Sequence, residues 1–183
     1  MNRRTFLSAS LTSTAVSAPL VGKDRNPQTG GNAKSGKKLA WQNGKSYWPI
    51  CLDTATLDKG IGLEDKLRLA AEAGFDCVEP WDRELDQYEK QGGNLKDLKS
   101  LVADLGLYIP SVIGLWNSMD ASEESFKSRL EEHRNRLRMV SAIGSRKVQV
   151  IPNMKLKDSF DHNVASWCYR QILEMAIGDY GME

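Results

Sequence analysis

Three side chains stand where an apolar run gives way to polar sequence, and their types suit recognition of a hydroxyl-rich ligand. Glu79 and Trp81 close the run Phe75-Asp76-Cys77-Val78, and Trp116 follows Val112-Ile113-Gly114-Leu115. A carboxylate accepts hydrogen bonds from hydroxyls, and an indole offers a broad apolar face with one polar edge, on which a sugar ring stacks. Each has a plainer reading beside it: Glu79 paired with Arg83 or a neighbouring lysine, and the two tryptophans as core or rim packing. Asp53 ends another apolar run and is read as a cap for the following loop rather than as a contact to substrate; Asn117 and Asn153 are read as turn residues.

Other groups able to do chemistry have weaker patterns. His133 lies at helical spacing from Leu130 and Leu137 and reads as a packed or half-exposed histidine. His162 stands beside Asp161, but Ser166 occupies the place one turn on where a zinc pair needs its second histidine. Cys51, Cys77 and Cys168 show no CxxC spacing, and each sits in an apolar run, so buried thiols are expected, with an interchain bridge as the alternative. These patterns assign no catalytic and no metal-binding residue.

The elements that must position these side chains alternate. Apolar runs at 47–53, 75–81, 107–115 and 147–153 read as strands. Between them, helical periodicity predicts a helix over 63–73 stopped by Gly74, one from the N-cap Asn94 to Gly106, and a long one opening at Ser122 and closing at Gly144. A fourth starts near Asp158 or Ser159, buries Phe160, Val164, Trp167, Cys168 and Ile172, and fades around Ile177. The charged stretch 123–138 reads as a solvated helix face with Glu–Arg pairs. Strand–helix repetition of this kind requires a parallel sheet, with right-handed crossovers placing the helices on one face. The expected fold class is α/β: a parallel (β/α) barrel of the TIM type, with its first four βα units present. Tyr180-Gly181-Met182-Glu183 reads as the turn into a fifth strand, so truncation is favoured over a dimer that completes a barrel or a flavodoxin-like wrap.

Residues 1–20 carry Arg3-Arg4-Thr5-Phe6-Leu7, a weakly apolar run and the small residues Val16-Ser17-Ala18. This is the layout of a twin-arginine export signal, which implies the twin-arginine export machinery as a partner and a periplasmic destination. Residues 21–45, rich in Gly, Lys, Asn, Gln and Ser, are expected to be a flexible linker, with the folded part over 46–183. An apolar fraction of 40% with 27% charged residues excludes a disordered or fibrous chain. A net charge of +1 with interspersed signs gives no basic stripe for nucleic acid. No run of about 18 uncharged apolar residues predicts a membrane span.

One stretch adds a family resemblance. Glu72-Ala73-Gly74-Phe75-Asp76-Cys77-Val78-Glu79-Pro80-Trp81 resembles the "helix, Ala-Gly-Phe, Asp, x, Val-Glu, x-Trp" signature of the sugar phosphate isomerases/epimerases, the xylose isomerase-like TIM barrels. Leu105-Gly106-Leu107, Ser141-Ala142-Ile143-Gly144 before a Val-x-Val strand ending Pro152-Asn153, and Tyr180-Gly181-Met182 extend the likeness in the same order from about Tyr47 onward. The resemblance implies proton transfer beside a sugar carbonyl through an enediolate, on a small sugar or polyol. It also implies a divalent metal (Mn, Mg, Zn or Co) held by two glutamates, an aspartate and a histidine. In that family the first of these ligands lies on the strand expected just after Glu183, so the ligands are absent from this chain and no turnover by the chain alone is expected. Two alternatives stand beside this one: a non-catalytic carbohydrate-binding module using Glu79, Trp81 and Trp116, and an apurinic-site endonuclease-like barrel. The last is disfavoured by Trp81 and Trp116 standing near strand ends where those enzymes place histidines. A homo-oligomer is compatible with all three.

Overall fold

A computed structural model describes residues 41–156 and 160–183. The export signal and most of the linker expected at the amino terminus lie outside the described residues. Contacts nevertheless reach back into the stretch read as linker: the Trp41 ring lies 5.7 Å from Tyr108, and Trp41 bridges Ser46. The Gln42 N–H donates to Asp76 Oδ1 at 3.1 Å and the Ile50 N–H to Asp76 Oδ2 at 3.0 Å, so one buried carboxylate ties this segment to the head of the second strand.

The four strands are β1 (Cys51–Asp53), β2 (Cys77–Glu79), β3 (Val112–Ile113) and β4 (Val148–Gln149). β1 pairs in parallel with β2 and β3 with β4, and parallel bridges Cys77–Tyr108 and Trp81–Ile113 join the two pairs in sequential order. All four are shorter than the apolar runs that announced them. A proline flanks each: Pro49, Pro80, Pro110 and Pro152 have no N–H to give to a ladder. Between the two bridges the chain spends one more residue on the third strand (Tyr108 to Ile113) than on the second (Cys77 to Trp81), a bulge that contains Pro110.

Among the described residues six α-helices connect and cover the strands: α1 (Leu63–Glu72), α2 (Asp82–Lys90), α3 (Leu95–Asp104), α4 (Glu123–Ser128), α5 (Leu130–Ala142) and α6 (His162–Tyr180). α1 and α3 follow the expected bounds, and Gly74 and Gly106 leave them in the left-handed conformation, at φ +84° and +72°. Three differences from the sequence reading have local causes. α2 was not foreseen; its buried residues are Leu85 and the carboxylate Asp82, so it shows almost no apolar stripe. The long third helix is broken at Arg129 (φ −110°), whose guanidinium turns back to the Asn117 carbonyl and to Asp120. The last helix starts later, capped by Asp161 accepting from the Asn163 and Val164 N–H groups, and runs past Ile177 to Gly181. Beyond it the Glu183 N–H donates to the Arg146 carbonyl at 2.9 Å, the contact Asp76 makes with Ile50 as it enters β2.

The core lies between the strands and the helices, with Val78 and Val112 facing Leu67, Leu98, Leu137 and Ile172. Two buried polar features interrupt it. Lys66, 4% exposed, donates to the Thr54 carbonyl (3.0 Å) and to Glu84 Oε1 (2.7 Å), while Glu84 Oε2 accepts from the Thr54 hydroxyl and from the Trp81 N–H (3.0 Å). His133, fully buried and stacked 5.1 Å from Phe126, has among the described residues no hydrogen-bond partner for either ring nitrogen.

Both features predict measurable behaviour. Removing one partner of a buried pair strands the other charge, so Lys66→Met costs about 3–5 kcal/mol in urea unfolding. Adding Glu84→Gln recovers part of that loss, and strictly additive effects would show the pair is not coupled. Burial, reinforced by Arg129 and Arg136 and opposed by Glu132 and Asp120, lowers the His133 pKa from 6.5 to about 4. The unfolded chain therefore takes up this proton first: stability is whole above pH 6.5 and falls as pH drops toward 4. The loss is on the order of 3 kcal/mol, and His133→Phe removes this share of the pH dependence. An unchanged slope in the variant would contradict this account.

Candidate functional site

Parallel strands all end on the same side, and the side chains of Cys51 and Asp53 on β1 and of Cys77, Glu79 and Trp81 on and after β2 alternate onto one face. Glu79, partly exposed, accepts from the Ser111 hydroxyl and from Gln149 Nε2 (3.1 Å), so neighbours on both following strands turn toward it. Both bonds fall on Oε1; among the described residues none reaches Oε2. Among the described residues neither Arg83 nor a lysine pairs with Glu79. Arg83 instead lies over the Trp81 ring, 4.0 Å from its centroid, where a guanidinium meets the negative face of the indole.

Trp81 and Trp116 come together as a stacked pair, centroids 5.2 Å apart and planes at 22°. Trp81 Nε1 donates to Asp53 Oδ1 at 2.7 Å, which also accepts from the Ala55 N–H at 2.9 Å. Asp53 thus caps its loop, as its position suggested, and also orients an indole. Trp116 is held from behind: Leu115 and Asn117 on either side have φ +51° and +55°, left-handed conformations rare outside glycine. Arg136 Nη1 meets the Trp116 carbonyl at 3.3 Å and Asp82 Oδ2 at 3.2 Å. Asp82 is buried against the end of β3, where a Cβ on Gly114 would fall 2.8 Å from the Asp82 Cβ; only glycine admits that approach. Burial raises the Asp82 pKa, opposed by Arg136 and by the Arg83 and Leu115 N–H groups. Beside this clamp a cavity of about 430 Å³ opens between α2 and α5, with Trp116, Arg83 and Glu132 in its wall.

The other sequence candidates separate. Asn153 makes a turn, its Oδ1 accepting from the Lys155 N–H at 3.1 Å, and Asn117 takes its left-handed turn. His133 is in the helical layer, and His162 lies against the Phe160 ring at the start of α6. Cys77 and Cys168 are buried, but Cys51, expected as a buried thiol, is exposed: among the described residues its strand β1 has a paired neighbour on one side only, whereas Cys77 lies between Cys51 and Tyr108. The stretch 123–138 is not wholly a solvated face: Glu132 and Arg136 do pair, yet Arg136 reaches inward to Asp82. Ser111, Gln149 and Asp82 escaped sequence reasoning; Gly114 at a strand end was the one local sign of a close approach there. Among the described residues no three His, Cys, Asp or Glu side chains are grouped closely enough to hold a metal ion, and no helix is long and apolar enough to cross a membrane.

No protein-family model and no curated protein matches the chain. Solved structures do. A xylose isomerase-like TIM barrel/4-hydroxyphenylpyruvate dioxygenase fusion protein superposes with a TM-score of 0.63 at 23% identity, over 74% of this chain and 21% of that one. The IolI protein with a binding zinc atom gives 0.63 at 17% identity, over 74% and 50%. D-psicose 3-epimerase in the presence of D-fructose gives 0.59 at 13%, over 74% and 50%. The chain spans about half the length of the latter two. Identities this low speak for fold alone: the described residues form four consecutive β/α units of a TIM-type barrel, laid out as in xylose isomerase-like proteins.

Proposed function

We propose that this chain is the sugar-recognising part of an isomerase- or epimerase-type barrel, acting on a small ketose or polyol and without turnover of its own. The observation that carries the reading is the convergence at one end of the strands of a carboxylate, Glu79, with a stacked indole pair, Trp81 and Trp116. In TIM barrels the carboxyl ends of the strands are where active sites assemble. An indole face takes up the C–H surface of a sugar, and Glu79 Oε2 accepts from a ring hydroxyl. D-fructose and D-tagatose accompany the epimerase structures this fold resembles, so ketoses are the first ligands to test.

Moving a proton from the carbon next to a carbonyl needs a cation or equivalent donors on the developing oxyanion and a base beside the carbon. Among the described residues no group of three His, Cys, Asp or Glu side chains is gathered for such a cation. What these residues supply is orientation: Asp53 fixes the Trp81 ring, and the Asp82–Arg136 pair fixes the backbone of Trp116. Arg3-Arg4 and the following Phe6-Leu7 support a further proposal, that the chain is exported by the twin-arginine route to the periplasm.

D-fructose or D-tagatose is expected to change tryptophan fluorescence saturably without added divalent cation, and Trp116→Ala to weaken the apparent affinity roughly 3- to 10-fold. A variant that binds as well as the parent would remove Trp116 from the site. In D2O with manganese present, no exchange of the carbonyl-adjacent hydrogen is expected by NMR; exchange would show that the chain catalyses proton transfer after all. Fused to a folded reporter, Arg3→Lys with Arg4→Lys should block transport, and unimpaired transport would refute the export proposal.

A further inference from the structure

Cys51 and Cys77 are direct register partners on the parallel pair β1–β2. Neighbouring strands lie about 4.8 Å apart and register partners project from the same face. That separation falls within the about 4.4–6.8 Å between Cα atoms that a disulfide spans. The two thiols act on each other: Cys77 and burial push the Cys51 thiol up, while Cys51 and the Tyr108 hydroxyl pull Cys77 down against its burial. Cys51 is exposed and Cys77 is 2% exposed, so one thiol meets solvent and the other lies shielded beside it. Cys168 is buried on α6 and belongs to no such pair.

We propose that Cys51 and Cys77 form a reversible cross-strand disulfide when the protein meets a low-molecular-weight disulfide. The thiol pair gives up one proton, the remaining proton passes to Cys77, and the exposed Cys51 thiolate attacks one sulfur of the oxidant and expels one thiolate, giving a mixed disulfide. Cys77 then attacks the Cys51 sulfur and expels the second thiolate. The two protein thiols lose two electrons and two protons, and the oxidant is reduced to two thiols. Tyr108, which lowers the Cys77 pKa beside Cys51, stays in place after Cys51 has reacted and favours the Cys77 thiolate for this second attack. β1 is a three-residue strand, so a covalent bond at its first residue clamps it to β2 directly beneath Asp53 and Glu79, the next side chains on that face.

The test uses the full chain with oxidised glutathione under mildly alkaline conditions, alkylation of remaining thiols and mass spectrometry of the intact protein and its peptides. The monomer is expected to lose two hydrogens, with the Cys51 peptide joined to the Cys77 peptide, and dithiothreitol is expected to restore both thiols. Cys51→Ser abolishes the cross-link and Cys168→Ser does not. Glutathione left attached to Cys51, dimers joined through Cys51, or a pair still fully reduced under conditions that oxidise a dithiol peptide would each overturn the proposal.

Discussion

The buried contact between Lys66 and Glu84 is the constraint on which most of the neighbouring geometry depends. A lysine ammonium is hard to bury, and here it is kept by two oxygens, one from the backbone of Thr54 and one from the Glu84 carboxylate. The same carboxylate reaches back to the Trp81 N–H and closes the first turn of α2, a task Trp81 cannot perform because an indole has no acceptor. One cluster therefore links α1, the turn after β1, the end of β2 and the start of α2. Apolar packing alone would allow these elements to slide; directional bonds to fixed backbone groups do not.

That junction sets the rim. With α2 anchored, Asp82 is delivered into the gap left by Gly114 and meets Arg136 from α5, which holds the Trp116 carbonyl. The indoles of Trp81 and Trp116 are thus brought face to face by a contact to the Trp116 carbonyl and by the bond from the Trp81 ring nitrogen to Asp53. Positive φ at Leu115 and Asn117 fits the same account, since left-handed backbone at a fully buried leucine persists only where the surroundings over-determine it. Gly114, Leu115, Trp116 and Asn117 together behave as a shaped support rather than a loose loop.

The uncovered face of the strands has a different character from the helix-covered one. Val78 and Val112 point into the apolar layer, whereas Cys51, Asp53, Cys77, Tyr108 and Glu79 carry thiols, a phenol and carboxylates onto the other side. Polar groups on a strand face need partners, and they find them laterally: Ser111 and Gln149 on Glu79, Trp81 on Asp53, Tyr108 and Cys51 on Cys77. This lateral pairing gives the short strands a cohesion that their few ladder bonds do not.

The sequence alone determined the order of strands and helices, the parallel barrel class, the glycine stops and the Asn94 cap, because these follow from periodicity and from backbone freedoms local to a few residues. It pointed to Glu79, Trp81 and Trp116 because they end apolar runs, and it read the cap at Asp53 correctly. It missed α2, which buries a single leucine deeply and so shows almost no stripe, and the break at Arg129, which is made by a carbonyl and a carboxylate from the preceding loop. Only tertiary structure decided that Glu79 bonds Ser111 and Gln149 instead of Arg83, that the two indoles stack, and that the exposed Cys51 sits beside the buried Cys77. Each of these joins residues far apart in the chain through the register between strands, and no local pattern of side chains encodes that register.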